Sequence, residues 1–351
     1  MSDNSAHRLY VKVTAKKLAV VFVLLLALIG SIVAAICIGP VNIPPQTTIE
    51  IIFSKISPFS SHTNTIFDTI VIDVRIPRVL MALLAGMCLS TSGAVMQGVL
   101  RNPLASPYIL GVAAGAAFGA ALSMILGIGE WLGVYSVYLM AFIFAFVAIF
   151  LVYGLSKARA TTTETLILAG IAVGAMFNAF VSLLMYVSGE SLRSLVFWIM
   201  GGLWTSSWGT VIIILPVAVV GSVLLFGFSW DLNVMTLGDE AALSLGVNVK
   251  RRKVILLILS TLLAAIVISA TGIIGFIGLV APHIARMVIG TDYRLLLPTA
   301  SLMGMLLLLL ADTFTRTIVA PTEIPVGIIT TMIGVPFFAY LLIKSKRSFW
   351  T

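Results

Sequence analysis

Ten apolar runs, most of them near 20 residues long, recur along this chain between short polar breaks. About 20 helical residues cross a bilayer core, so runs of this length read as membrane spans. Their approximate limits are 17–39, 76–99, 108–128, 132–154, 164–187, 209–228, 254–274, 276–290, 295–312 and 325–343. Composition agrees: 60% of residues are hydrophobic and 10% charged, with a mean hydropathy of +1.15. A soluble chain carries about a quarter charged residues. The sequence therefore predicts an all-α polytopic membrane protein, with about ten transmembrane helices in a single transmembrane domain over 1–351. Little chain is left for a separate soluble domain.

The first run, Leu18 to Ile38, follows Lys16-Lys17. It exceeds the apolar core of a signal peptide and lacks a clean small-residue cleavage site, so it reads as a retained span. A tail of about residues 1–16 precedes it. Cys37 and Cys88 both fall in apolar segments without CxxC spacing, and read as packing residues rather than a disulfide or metal pair.

The formal charge of +8 could suggest a nucleic-acid partner, but the placement of the cations argues against one. With the N-terminus taken as cytoplasmic, 16 Lys and Arg fall on inner segments and 5 on outer ones. The outer five are Lys55, Arg75, Arg78, Arg193 and Arg316. The acids divide 6 inside and 7 outside, so they do not drive the asymmetry. Excess Lys and Arg on cytoplasmic loops is the positive-inside rule, which places both termini in the cytoplasm of a multi-pass cell-membrane protein. Trp198, Trp204 and Trp208 cluster in one outer connection, at the level where amphipathic rings favour headgroups.

Small residues recur every fourth position in the second span (Ala82, Gly86, Ser90, Ala94, Gly98) and the third (Gly111, Gly115, Gly119, Ser123, Gly127). Such stripes let helix backbones approach closely in lipid. The fifth span carries Gly170, Gly174, Asn178 and Ser182. Asn178 makes this stripe the candidate pathway lining, because an amide within a span needs a partner or water. Asp312 and Arg316 stand four apart at an outer helix end, placed to pair. No carboxylate stands at mid-membrane, which disfavours a carrier driven by a proton or sodium gradient. That carrier is nonetheless the main alternative, and abolition of uptake by an uncoupler despite ample ATP would favour it.

Catalytic and nucleotide motifs are absent. Gly-Lys never occurs, so the chain has no P-loop, and there is no H-E-x-x-H, G-x-S-x-G or CxxC pair. His7, His62 and His283 lie far apart, and His283 beside Pro282 reads as a packing residue. No cofactor or metal is expected in this chain, and an enzyme reading has no support.

One polar stretch interrupts the apolar pattern. Residues 229–253 form the only long inner connection, ending in Lys250-Arg251-Arg252-Lys253. Within it, Asp239-Glu240 followed by Ala241, Ala242, Leu243 and Leu245 reads as a short helix with acids in its first turn, bounded by Gly238 and Gly246. A helix this short is marginal alone and needs a surface to pack on.

Several motifs in order carry a family resemblance. Arg75-Ile-Pro-Arg78 opens the second span, Ser92-Gly-Ala-Val-Met-Gln97 lies within it, and Arg101-Asn-Pro-Leu-Ala-Ser-Pro107 follows it. Gly272-Ile-Ile-Gly-Phe-Ile-Gly-Leu-Val-Ala-Pro-His283 surrounds the eighth, and Leu309-Leu-Ala-Asp312 ends the ninth. Pro321-Thr-Glu-Ile-Pro-Val-Gly-Ile-Ile-Thr330 and Ile333-Gly-Val-Pro-Phe-Phe338 mark the tenth. Over about residues 70–343 the set resembles the FecCD family of ABC importer permeases.

That resemblance implies a ten-helix permease that pairs with a second permease subunit. It also implies two cytoplasmic ATPase subunits, which bind ATP and magnesium, and an extracytoplasmic substrate-binding protein. Arg75 and Arg78, with Arg316 as a third candidate, match arginines that meet acids of the binding protein; anchoring at the membrane interface is the plain alternative. Thr161, Thr162 and Thr163 match a hydroxyl-rich inner gate, although a threonine N-cap explains them equally and Glu164 departs from the family pattern. Gly238, Asp239, Glu240, Ala241, Leu243, Leu245 and Gly246 match the coupling helices that sit in a groove of the ATPase. The implied cargo is a bulky metal chelate, a ferric siderophore or other iron complex first, then cobalamin or haem.

Overall fold

The structure, a computed structural model, describes residues 3–56, 66–158 and 162–344. Ten helices answer one for one to the ten apolar runs. They are α1 (Asp3–Cys37), α2 (Ile76–Leu100), α3 (Val112–Leu126), α4 (Tyr135–Lys157), α5 (Thr163–Val187), α6 (Trp208–Gly227), α7 (Val249–Thr271), α8 (Ile277–Ile289), α9 (Tyr293–Thr317) and α10 (Val326–Lys344). Seven of them (α1, α2, α4, α5, α6, α7 and α9) are long and apolar enough to cross a membrane, and α3, α8 and α10 are shorter apolar helices. Shorter helices in the connections, named below by their ranges, complete an all-helical set among the described residues.

Polar side chains start several of these helices. Thr162, Ser207, Asn248 and Asp292 accept the backbone N–H of Thr165, Thr210, Arg251 and Arg294, capping α5, α6, α7 and α9. Each such cap is worth about 1 kcal/mol. Several boundaries differ from the hydropathy limits: α1 begins at Asp3 and α7 at Val249, both ahead of their apolar runs. A 3₁₀ turn at Pro107–Leu110 delays α3, and α9 runs on to Thr317, which brings Arg316 into its last turn.

Helix α2 is the hub, packed against α6, α7, α8 and α9, with 89% of its most apolar window buried. Its small-residue stripe makes this possible. A β-carbon on Gly86 would stand 2.3 Å from the Gly304 carbonyl oxygen of α9, so no side chain fits where those backbones cross. Helix α3 packs on α4 and α5, while α1 lies on α9 at the periphery, with only 11% of its window buried. Polarity is inverted relative to a soluble core. Ser90, Thr91, Gln97, Thr261 and Thr299 are buried, whereas Phe22, Val23, Ile212 and Val223 are exposed. In lipid the apolar face belongs outside and polar groups find partners within.

Between α7 and α8 the backbone leaves the helix from Gly272 to Phe276. Tyr108 meets part of it, donating its hydroxyl to the Ile274 carbonyl at 2.6 Å, and just before it Gly202 N–H donates to the Thr271 carbonyl that ends α7, at 2.8 Å. Irregular backbone at membrane depth needs such partners.

Charged residues gather at two poles. Arg75, Arg78, Asp312 and Arg316 stand at one end of α2 and α9, and Arg101, Asp239 and Asp292 at the other. These groups divide as the positive-inside reading divides them.

Candidate coupling surface and pathway residues

The connection between α6 and α7 folds into two short helices, Ser229–Thr236 and Asp239–Ser244. Gly238 links them at φ +119° and Gly246 ends the second at φ +84°. L side chains rarely adopt those angles, which explains both glycines. The second helix turns Ala242 and Val247 inward and leaves Glu240, Leu243 and Leu245 exposed, with Leu237 beside them. The expected bounding glycines and apolar contact residues are thus placed as a small protruding knob, with Ala241 half-buried at its base.

Asp239 differs from its neighbours in this segment. Its carboxylate turns back into the chain, onto the Arg101 guanidinium and, at 3.2 Å, the Lys253 ammonium. Partial burial works against ionisation there, but Lys253 and then Arg101 outweigh it and hold the carboxyl below the usual carboxylate range. Arg101, in left-handed conformation at the end of α2, also donates to the Met235 carbonyl at 2.8 Å. Asn233 bonds Asp292 at 2.7 Å and accepts the Tyr293 N–H at 2.9 Å, while Arg252 lies 3.3 Å from Asp231. The knob is therefore braced to α2, α7 and α9 at once. Sequence reasoning missed Arg101, Asn233 and Leu237. Only Asn102-Pro103, which marks a turn after α2, offered a local signal for the first.

The three arginines at the pole away from the knob, Arg75, Arg78 and Arg316, are buried, at 3%, 7% and 2% exposure. Arg75 donates to the carbonyls of Ile36 and Cys37, both at 2.8 Å, and to that of Val41. The last carbonyls of α1 lack helical partners, and Arg75 supplies one. Arg78 forks onto Asp312 at 2.9 Å and Glu323 at 2.9 Å. Arg316 approaches Asp312 at 3.2 Å, as the i,i+4 spacing predicted, and donates to the Ala35 carbonyl. Only Glu323, with 27% of its side chain exposed, carries this network to the surface.

Thr161 lies outside the described residues. Thr162 is the N-cap of α5, in a reciprocal capping box with Thr165, whose hydroxyl also meets Ser156 at 3.0 Å. Thr163 is half-buried in the first turn and Glu164 exposed. Along α5 the small-residue stripe divides. Gly170 packs on the backbone of Ile109 and Leu110, whereas Asn178 and Ser182 are exposed together with Ala172, Ala175 and Ala179. The structure does not bring Asn178 together with the threonines at the helix start, which lie more than three turns away along α5.

A bundle with apolar side chains outside, polar ones within and a braced knob at one pole is a multi-pass helical membrane protein. Residues 24–344 match the FecCD transport family, and the chain belongs to it. It is 38% identical over 296 residues to the hemin transport system permease protein HmuU of Yersinia pestis, covering 82% of this chain and 87% of that protein. It is 44% identical over 270 residues to the cobalamin import system permease protein BtuC of Halobacterium salinarum, covering 77% and 72%. Among solved structures, an inward-facing metal-chelate type ABC transporter superposes with a TM-score of 0.81 at 34% identity, covering 93% of this chain and 99% of that one. Both relatives are transport permeases rather than enzymes.

Proposed function

We propose that this chain is the transmembrane permease subunit of a binding-protein-dependent ABC importer that moves a metal chelate inward. The observation that carries the reading is the braced knob. A chain without a P-loop presents exposed Leu237, Leu243 and Leu245 on and beside a short helix tied at its base to three spanning helices. An apolar tip of that kind is a handle for a partner's groove, and we assign the partner as an ATPase subunit that binds ATP and magnesium. Force on the tip passes through Arg101 to α2, through Lys253 to α7 and through Asn233 to α9. A ligand shifts a conformational equilibrium only by its differential affinity for the two states. Nucleotide in the partner therefore acts by moving the handle between an inward-open and an outward-open position.

A second permease subunit closes the pathway in this reading, against the face of α5 that exposes Asn178 and Ser182. Both chain termini and the knob face the cytoplasm. The binding protein docks at the opposite pole, where its carboxylate would take the place of Glu323 on Arg78. Relatives carry cargoes as varied as hemin, cobalamin, iron(3+)-hydroxamate, Fe(3+)-citrate and molybdate. We take an iron chelate as the first candidate, with cobalamin or haem next. The test is the complex reconstituted in liposomes. Loaded binding protein should raise ATP turnover and drive uptake together; uptake with ATP turnover unchanged by binding protein and substrate would overturn the coupling.

A further inference from the structure

At the pole that carries the knob, a cavity of about 360 Å³ opens between the end of α4 and the start of α7. Lys157, Lys250 and Lys253 line it together with Tyr153, over a floor that includes Val254 and Leu257. Asp239 is the one acid in the lining, so three ammonium groups less one carboxylate leave a formal +2. Asp239 is already shared between Arg101 and Lys253, and among the described residues Lys157 and Lys250 have no ion-pair partner. Glu164, at the start of α5, lies within electrostatic reach of Lys253 but outside the lining.

The positive-inside rule accounts for cations near this membrane face, but not for their convergence on one hollow. Lys250 and Lys253 also stand in the first turns of α7, where the helix dipole disfavours positive charge. An anion seated in the cavity would relieve both. Above it, on the face of α4 that carries Tyr153 and Lys157, Phe150 is 58% exposed, and Phe146 and Phe142 continue the stripe at ring-centroid spacings of 6.2 and 5.1 Å. Charge in a hollow at a span end, continuous with an apolar wall, is the chemistry of a lipid with an anionic head.

We propose that this cavity holds the phosphate of an anionic phospholipid from the inner leaflet, with its acyl chains along α4. Basic pockets between spanning helices on the cytoplasmic side recognise such headgroups. The proposal rests on the chain's spanning a membrane and on its orientation, not on its cargo. Because Lys253 also holds Asp239, the lipid would share a cation with the brace of the knob.

The test uses the purified full-length chain with its partner subunits, titrated with phosphatidylglycerol or phosphatidylcholine and read by native mass spectrometry. The wild type should retain phosphatidylglycerol in preference. Lys157→Gln with Lys250→Gln should weaken that retention by about fivefold per lysine, about thirtyfold together. Lys157→Arg with Lys250→Arg should restore it, which separates charge from folding. Equal retention of the two lipids by the wild type, or a glutamine variant that binds like the wild type, overturns the proposal. So does displacement of the lipid by millimolar inorganic phosphate, which would mark a free-anion site. Loss of the ATPase subunits from the glutamine variant with lipid retention unchanged would make the cavity a protein contact, and also overturns it.

Discussion

Truncating the knob's tip tests the handle directly. Leu243 and Leu245 leave 60% and 56% of their surface exposed in the isolated chain. Burying a whole leucine side chain is worth about 1.5–3 kcal/mol, so covering the part still exposed is worth about 1–1.7 kcal/mol for each. Alanine keeps one side-chain carbon of the four. Leu243→Ala with Leu245→Ala therefore removes about 1.5–2.5 kcal/mol of contact with the ATPase subunit, or about ten- to sixtyfold in affinity. The chain itself should barely notice, because surface substitutions of this kind stay within about 0.5 kcal/mol. The assay is equilibrium binding of the soluble ATPase subunit to the permease held in nanodiscs, beside thermal unfolding of the permease alone. An affinity change below about threefold, with the fold intact, would show that the tip is not the contact and refute the reasoning.

Three further outcomes follow from the packing and the charges. Asp312→Ala strands Arg316, and in part Arg78, as buried cations; losing one member of a buried pair costs about 3–5 kcal/mol, read as a lower unfolding temperature in detergent. Gly304→Ala forces a methyl group to within 2.3 Å of the Gly86 carbonyl oxygen and should cost about 1–3 kcal/mol in the same assay, whereas Gly30→Ala, with nothing within 4 Å, should not. Folding depresses the Asp239 pKa below its ordinary 3.8, so its ion pairs contribute fully above that value and are lost as pH falls through the lower folded value. Hydrogen exchange of residues 237–247 should then be unaffected by this group from about pH 5 to 8, and Asp239→Asn should speed exchange throughout that range.

Some of this molecule was legible along the chain, because hydropathy and charge counting act locally. The ten helices, the division of Arg101 and Asp239 from Arg78 and Arg316 at opposite ends, and the knob between Gly238 and Gly246 all follow from runs and breaks in the sequence. Even Asp312 and Arg316 could be paired, since four residues make one helical turn. The facing of the remaining charged groups could not be read this way. Arg78 meets an acid 234 residues away, and Arg101 meets one 138 residues away, so neither partner lies within any window of the sequence. An arginine at a helix start reads as a docking cation or an interface anchor; that Arg78 also forks onto Asp312 and Glu323 came only from the packing of α2 against α9. Likewise only the folded chain ties Asp239 back onto Arg101 and Lys253 and leaves Asn178 exposed on α5. Sequence alone determined which segments are apolar enough to enter a membrane, because transfer free energy sums residue by residue. Tertiary structure decided which charges are spent inside the chain and which remain for a partner, because a buried ion needs a counter-charge in space.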